Sequence, residues 1–469
     1  MTRPSLWLLL LGILGGVAVP PAWADEAPSA DPAAAALERD DEYYELYKVF
    51  ADTLDQVERN YVEDISRREL MEAAIKGLLS KLDPYSNYIG PEEISQFKTS
   101  VESEFGGIGI QIAIDNGQLK VLSPLVGSPA YRAGLLPGDW ITNIEGEPTE
   151  GFNADDAVKR LKGEAGTSVT ITIARPGSSP RDVTLAREII RLETVMGARR
   201  NADDSWNFFL DDANKIGYIR VSSFSRETAG QVRSALEQLQ TGGVNGLVLD
   251  LRFDPGGLLT SAIDICDMFI SEGRIVSTAG RNSPERVWDA HGPGTFEGFE
   301  MAVLVNRYSA SASEIVSACL QDHNRAVIIG ERTWGKGSVQ NVIELEGGRS
   351  ALKLTTAGYL RPNGKNIHRT EGSSDGDEWG VVPNDGYVLQ LSDEEMAGLL
   401  EHRRATDRAH GLLPPAAAAD LPQREDLAPP PLVASPAAGF ADRQLQKALE
   451  YLLSEAAPAE PAEAAAAGN

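Results

Sequence analysis

Three short runs in the chain are almost wholly apolar: Gly246-Leu-Val-Leu-Asp-Leu, Met301-Ala-Val-Leu-Val and Ala326-Val-Ile-Ile. A strand with one wet face alternates apolar and polar residues. A near-continuous apolar strand is covered on both faces, as strands of a buried parallel sheet are. Helical patterns follow two of these runs, from the glycines at 256–257 to residue 269 and from residue 311 to 321. Upstream, Lys215-Ile-Gly-Tyr-Ile-Arg-Val reads as another strand and residues 228–240 as another helix. This βαβ rhythm predicts an α/β core built on a sheet with crossover helices.

The segment before that core has a different texture. Residues 25–36 form an Ala/Pro/Asp-rich lead. Two amphipathic helical patterns follow over 37–60 and 67–82, and Asp83-Pro84 stops the second. From residue 101 to 188 short strands alternate with two helical stretches, giving a small β-sandwich or barrel. After residue 400 the chain turns charged and then Ala/Pro-rich. A short amphipathic helix is expected at 445–453, and composition marks residues 456–469 as disordered. The expected divisions are thus 1–24, 25–36, 37–100, 101–188, 189–400 and 401–469.

Residues 1–24 read as a secretory signal: Arg3, an apolar run over 6–19, and an Ala22-Trp23-Ala24 cleavage site. The run is shorter than the roughly 20 residues of a spanning helix. Export to a periplasm is therefore expected, with membrane association if the signal stays uncleaved. A net charge of −26 argues against nucleic-acid binding. The two cysteines, Cys266 and Cys319, both fall in apolar helical patterns; buried thiols are expected, with a disulfide as the alternative. No cofactor is called for, and no Cys/His cluster has metal-ligand spacing.

Chemistry concentrates at residues 306–340. Ser311 follows an apolar strand and opens a helix. Ser311-Ala-Ser-Glu314 fits a capping box, and Ser309 and Ser313 compete as candidate hydroxyls. Yet a serine at a helix N-terminus also sits where N–H groups stabilise developing negative charge. The Ala312 N–H is then a natural oxyanion donor, and Gly256 or Gly257, at another strand-to-helix turn, a second. Lys336 lies between Gly335 and Gly337, which let the backbone approach something closely. A lysine made neutral by burial can serve as base to such a serine. Gln340 either orients Lys336 or is a plain strand-edge glutamine. Gly335-Lys-Gly-Ser lacks the frame of a phosphate loop. In the small β domain, Gly106-Gly107-Ile108-Gly109 forms either a β-bulge hinge or a nest of N–H groups suited to a carboxylate.

These residues resemble the carboxyl-terminal processing peptidases, or tail-specific proteases. The resemblance runs over roughly residues 40–390. It rests on Ser309-Ala-Ser-Ala-Ser-Glu-Ile, Gly335-Lys-Gly-Ser-Val-Gln340, Asp250-Leu-Arg-Phe-Asp-Pro-Gly-Gly257, Ile216-Gly-Tyr-Ile-Arg-Val-Ser-Ser-Phe224, Leu82-Asp-Pro-Tyr-Ser-Asn-Tyr-Ile and Phe105-Gly-Gly-Ile-Gly. It implies a multidomain α+β and α/β protein: an N-terminal helical region, a PDZ domain, a ClpP/crotonase-like protease core and a disordered C-terminal tail. It also implies Ser311 as nucleophile, Lys336 as general base and Gln340 as support, with the PDZ domain engaging apolar C-terminal tails of protein substrates. Arg175 becomes a candidate contact between PDZ and core, and Glu314 and Asp322 match polar positions of some members. An adaptor protein and a homo-oligomer are further expectations. Phe253-Asp254 departs from a commoner Asn-rich pair, and Gly380-Val-Val-Pro-Asn is a looser match. The rival readings are a crotonase-type acyl-CoA enzyme and a non-catalytic PDZ scaffold.

Overall fold

A computed structural model describes residues 32–95, 97–98, 104–408 and 441–456. The signal-like residues 1–24, and most of the Ala/Pro-rich tail, lie outside the described residues. The chain divides between Gly77 and Leu78 into two compact units.

The first unit is helical. Helix α1 spans Pro32–Asn60, and α2 spans Arg67–Leu79. Ser66 and Glu69 cap α2 reciprocally: the Ser66 N–H donates to Glu69 Oε2 and the Glu69 N–H to Ser66 Oγ, each at 3.1 Å. Helix α1 starts earlier than its periodicity suggests. Helix α2 ends before the Asp83-Pro84 stop, which is preceded by a turn.

The second unit opens with strand β1 (Asn87–Ile89) and continues into a small β domain. Strand β2 (Glu104–Gly107) leads to β3 (Ile110–Asp115), β4 (Gln118–Pro124) and a one-turn helix α3 (Pro129–Arg132). Strand β5 (Trp140–Ile144), helix α4 (Ala154–Leu161) and strands β6 (Ser168–Ala174), β7 (Arg181–Ala186) and β8 (Glu188–Arg191) complete it. The sheet runs β3-β4-β5-β6-β7, which leaves β3 on an edge; β2 pairs with β8 instead. Its core gathers Leu119, Val121, Ile141, Val169 and Ile171, the inward residues of alternating strands.

The α/β core is centred on four parallel strands: β9 (Ile216–Val221), β10 (Gly246–Asp250), β13 (Glu300–Val305) and β14 (Val327–Gly330). Between β10 and β13 lies the antiparallel pair β11 (Arg274–Gly280) and β12 (Ser283–Asp289). With β15 (Ser338–Leu345), β16 (Ser350–Leu360) and β1 they build a second sheet. One face of the parallel sheet sends Leu247, Leu249, Met301 and Val303 into the main core under helices α5 (Thr228–Thr241), α6 (Leu259–Asp267) and α7 (Ala312–Asp322). The other face sends Val248, Ala302 and Leu304 the opposite way.

That second apolar face explains where the core ends. Helix α8 (Asp393–Asp407) runs past residue 400, and α9 (Arg443–Ala456) lays Leu445, Ala448, Leu449 and Leu452 onto Val248, Ala302 and Leu304. The short helix expected in the tail is therefore a structural part of the core, which does not stop at 400. A sheet that is apolar on both faces needs a cover on each. Cys266 and Cys319 are both buried free thiols, so the disulfide alternative is not realised.

Candidate active site

Parallel strands aim their C-terminal ends at one rim of a sheet, and ligands gather there. Strand β10 ends in the loop 251–258 and β13 in the turn 306–311. The two are stitched together. Asn306 Oδ1 accepts the N–H groups of Phe253 (3.0 Å) and Tyr308 (3.1 Å). Ser309 Oγ donates to the Leu251 carbonyl at 2.8 Å. The Asp254 carbonyl accepts both the Ala310 N–H and the Ser313 hydroxyl at 3.0 Å. Ser309 and Ser313 are wholly buried in these roles, which separates them from Ser311.

Ser311 is the residue before α7 and holds φ at +57°, a strained value for a side chain with a Cβ. The first-turn N–H groups of Ser313, Glu314 and Ile315 have carbonyl acceptors. That of Ala312 has none among the described residues. Gly256, with φ at +92°, packs directly on this turn: a Cβ there would stand 2.7 Å from the Ala312 nitrogen and 2.9 Å from the Ser311 Cβ. Only glycine tolerates both demands. Its own N–H, however, donates to Asp254 Oδ1 at 2.8 Å. The expectation that Gly256 offers a free oxyanion donor is therefore corrected for this state; the Gly257 N–H has no such acceptor among the described residues. Asp254 is wholly buried, its Oδ2 has no hydrogen-bond partner, and burial pushes its carboxyl well above the usual range.

Glu314 ties the two halves of the site together. Its Oε2 accepts the Ser311 N–H and the Lys336 N–H, both at 2.8 Å. Its Oε1 accepts the Gly335 N–H at 2.7 Å and the Thr333 hydroxyl. Burial raises its carboxyl above the ordinary value, against the pull of these donors.

The glycines beside Lys336 do allow close approach. A Cβ at Gly335 would meet Arg369 Cβ at 2.8 Å, and one at Gly337 would meet the His368 nitrogen at 2.6 Å. The lysine is largely buried. Burial, helped by the charge of Lys353 and opposed by Glu314, lowers it to about 8. Its ammonium faces the Tyr85 ring, 5.3 Å from the centroid. Among the described residues Nζ makes no hydrogen bond, to Ser311 or otherwise. Gln340 does not reach it either: its Nε2 donates to Ser338 Oγ (2.9 Å) and Thr355 Oγ1 (3.2 Å).

Other expected residues fall elsewhere. Arg175 stays inside the β domain, where Asp139 accepts from it at 2.6 and 2.8 Å, so it is not the contact to the core. That contact includes Tyr131, whose hydroxyl donates to Asp204 at 2.8 Å. Asp322, at the other end of α7, pairs with Arg361 at 2.7 Å. Gly106 and Gly107 end β2, and Ile108 and Gly109 (φ +73°) connect it to β3. Gly107, Ile108 and Gly109, but not Gly106, border a small cavity of about 60 Å³ between β3 and α4, walled by Ile110, Ile112, Val158 and Leu161. A cavity of about 680 Å³ bounded by Glu272, Glu300, His323 and Arg325 includes none of the candidate residues. Among the described residues no His/Cys/Asp/Glu group could hold a metal ion, and no helix is long and apolar enough to cross a membrane.

Sequence reasoning missed Thr333, His368 and Tyr85 as parts of this site. Thr333 could have been suspected from its place three residues before Lys336, one loop turn away. His368 accepts the Gly337 N–H on Nδ1 at 3.3 Å, yet nothing in its own neighbourhood hints at this.

Comparison with known proteins agrees with this layout. The profile of Peptidase family S41 matches residues 215–383, that of a PDZ domain residues 120–175, and that of the activating protease CtpB N-terminal domain residues 14–93. The chain is 38% identical over 376 residues to a carboxy-terminal-processing protease of Bartonella bacilliformis, covering 78% of this chain and 83% of that one. It is 37% identical to a carboxyl-terminal-processing protease of Synechocystis sp., covering 65% and 70%. It is 35% identical to the carboxy-terminal processing protease CtpA of Bacillus subtilis, covering 67% and 65%. The chain therefore belongs to peptidase family S41, among the carboxy-terminal processing proteases, and is a serine-type peptidase carrying a PDZ domain.

Proposed function

We propose that the chain is an exported endopeptidase that cuts protein substrates near their C-termini by a Ser–Lys mechanism. The observation that carries the proposal is the pair of 2.8 Å bonds by which one Glu314 oxygen holds both the Ser311 and the Lys336 backbone. Nucleophile and base thus share one rigid frame, as oriented catalysis needs. Ser311 Oγ attacks the scissile carbonyl carbon while neutral Lys336 takes the hydroxyl proton. The N–H groups of Ala312 and Gly257 hold the oxyanion, joined by Gly256 once it leaves Asp254. The lysine ammonium returns the proton to the leaving amine. Lys336 then activates a water, which releases the acyl group from Ser311. Gln340 supports the base through Thr355. Ser311 and Lys336 share no hydrogen bond among the described residues and Asp254 holds the Gly256 N–H, so both would rearrange for catalysis.

Substrate selection is assigned to the PDZ domain. The free edge of β3 suits addition of an extended peptide strand, and the apolar cavity beside it suits an apolar C-terminal side chain. The terminal carboxylate would lie at residues 106–109. Residues 1–24 direct export to a periplasm. Cleavage of an unstructured reporter with an apolar C-terminal tail tests the reading. Wild type is expected to cut it, and Ser311→Ala and Lys336→Ala are not. Cleavage that persists in Ser311→Ala would remove Ser311 as the nucleophile.

A further inference from the structure

The segment just before β1 folds back on itself at Asp83. Asp83 Oδ1 accepts the N–H groups of Tyr85 (2.8 Å) and Ser86 (2.9 Å), and Oδ2 accepts the Ser86 hydroxyl at 2.7 Å. This is an Asx turn, local and stiff. It is fastened to β16. The Thr355 N–H donates to Ser86 Oγ at 3.0 Å, and the Thr355 hydroxyl donates to Asp83 Oδ1 at 3.2 Å. Strand β1 continues the attachment by pairing with residues 351–353.

What this framework presents to the active site is one ring. Tyr85 faces the Lys336 ammonium at 5.3 Å, takes the Trp334 indole N–H on its phenol oxygen at 3.3 Å, and meets the His368 ring edge-on at 6.2 Å. Gln340 joins the same network through Thr355 at 3.2 Å. The route from Gln340 to Lys336 therefore passes through Thr355, Asp83 and Tyr85.

We propose that Tyr85 is a positioning residue for the base: its ring face holds Lys336 while the lysine is protonated, and releases it towards Ser311 on deprotonation. The inference rests on Lys336 being the base. A ring face attracts an ammonium through its quadrupole and offers a neutral amine little. A neutral amine, in turn, has the lone pair that a serine hydroxyl can donate to. The proton that must leave to create the base is the one that keeps the lysine on the ring. The other charged or titratable groups that act on the ammonium are Glu314 on α7, Lys353 on β16 and His368 in the loop after β16, which Asp83 in the turn also acts on. Glu314 favours the charged form and Lys353 opposes it. His368 is held below its usual value, chiefly by burial.

The experiment reads the titration of Lys336 without catalysis. Full-length protein carrying Ser311→Ala is acetylated with acetic anhydride across a pH series, and the Lys336 peptide is quantified by mass spectrometry. Tyr85→Phe keeps the ring and loses the bond to Trp334. Tyr85→Leu keeps an apolar cover and loses the ring. The expected midpoint is unchanged in Tyr85→Phe and about one pH unit lower in Tyr85→Leu. If the leucine variant does not fold, Tyr85→Trp serves as the second arm, and its larger ring face is expected to raise the midpoint. Midpoints that do not respond to the ring, or a phenylalanine variant that shifts as far as leucine, would overturn the proposal. Reporter cleavage by Lys336→Ala would instead overturn the catalytic reading, and the two failures are distinct.

Discussion

Glu314 accepts three backbone N–H groups and one hydroxyl, and none of the N–H donors can turn away without moving its loop. Glu314→Gln would aim an amide NH₂ at donors that need an acceptor. We expect kcat to fall by roughly 100-fold with KM little changed, because the loss is of alignment rather than of substrate contact. Steady-state kinetics on the reporter check this; an unchanged kcat would mean the carboxylate only braces the fold. On the proposed Ser–Lys mechanism Lys336, lowered to about 8, sets the pH dependence. The neutral amine would be the active form, so kcat/KM should rise with pH and level off above that value. A profile that is flat from pH 6 to 10 would contradict the assignment. The places of Ser311 and Lys336 were legible in the sequence because each carries its context locally, a strand-to-helix turn for one and flanking glycines for the other. Tyr85 was not. Its part depends on a turn arriving from far along the chain, and no local pattern records that arrival. The Gly256 N–H was misjudged for a related reason: the glycine is visible in the sequence, but the bond it makes to Asp254 is not.

Among the elements, α9 has the widest effect. Leu445, Ala448, Leu449 and Leu452 follow helical spacing, so the helix itself was readable; the apolar underside of the sheet that it covers was not counted against it. The residue just before it also enters a buried charge network. Asp442 accepts from Arg252 at 2.8 and 2.9 Å, and Asp250 accepts from Arg252 and from Arg403, each at 2.7 Å. Tyr218 closes the group with a 2.8 Å bond to Asp250. Asp442→Ala would leave the fully buried Arg252 short of a counter-charge, at a cost of about 3–5 kcal/mol. Urea denaturation should show a lower midpoint with an unchanged slope; a loss under ~1 kcal/mol would mean the network relaxes freely. Phe253 and Asp254 follow Arg252 directly, so the same change should also loosen the loop behind Ser311.

At the scale of the molecule, the strand alternation of residues 101–188 and the βαβ rhythm after 215 made both domains legible, since period and composition alone record them. How the domains meet was not legible. Arg175 was the expected contact, and Tyr131 bonded to Asp204 makes it instead. Two polar residues that meet across domains have no shared pattern in the chain. If the PDZ domain takes substrate by its terminal carboxylate, amidating the reporter's C-terminus should raise KM about tenfold or more and leave kcat near its original value. Equal kinetics for the free acid and the amide would move recognition elsewhere. The position of α9 bears on timing as well. A chain synthesised from its N-terminus holds Ser311, Lys336 and Glu314 well before residue 442 exists. Until α9 folds onto the sheet, Arg252 has only part of its partnership and the loop beside Ser311 lacks the Asp442 support. Completion of the core would thus wait on residues made well after every candidate catalytic group, which delays proteolysis until α9 has been synthesised and has docked.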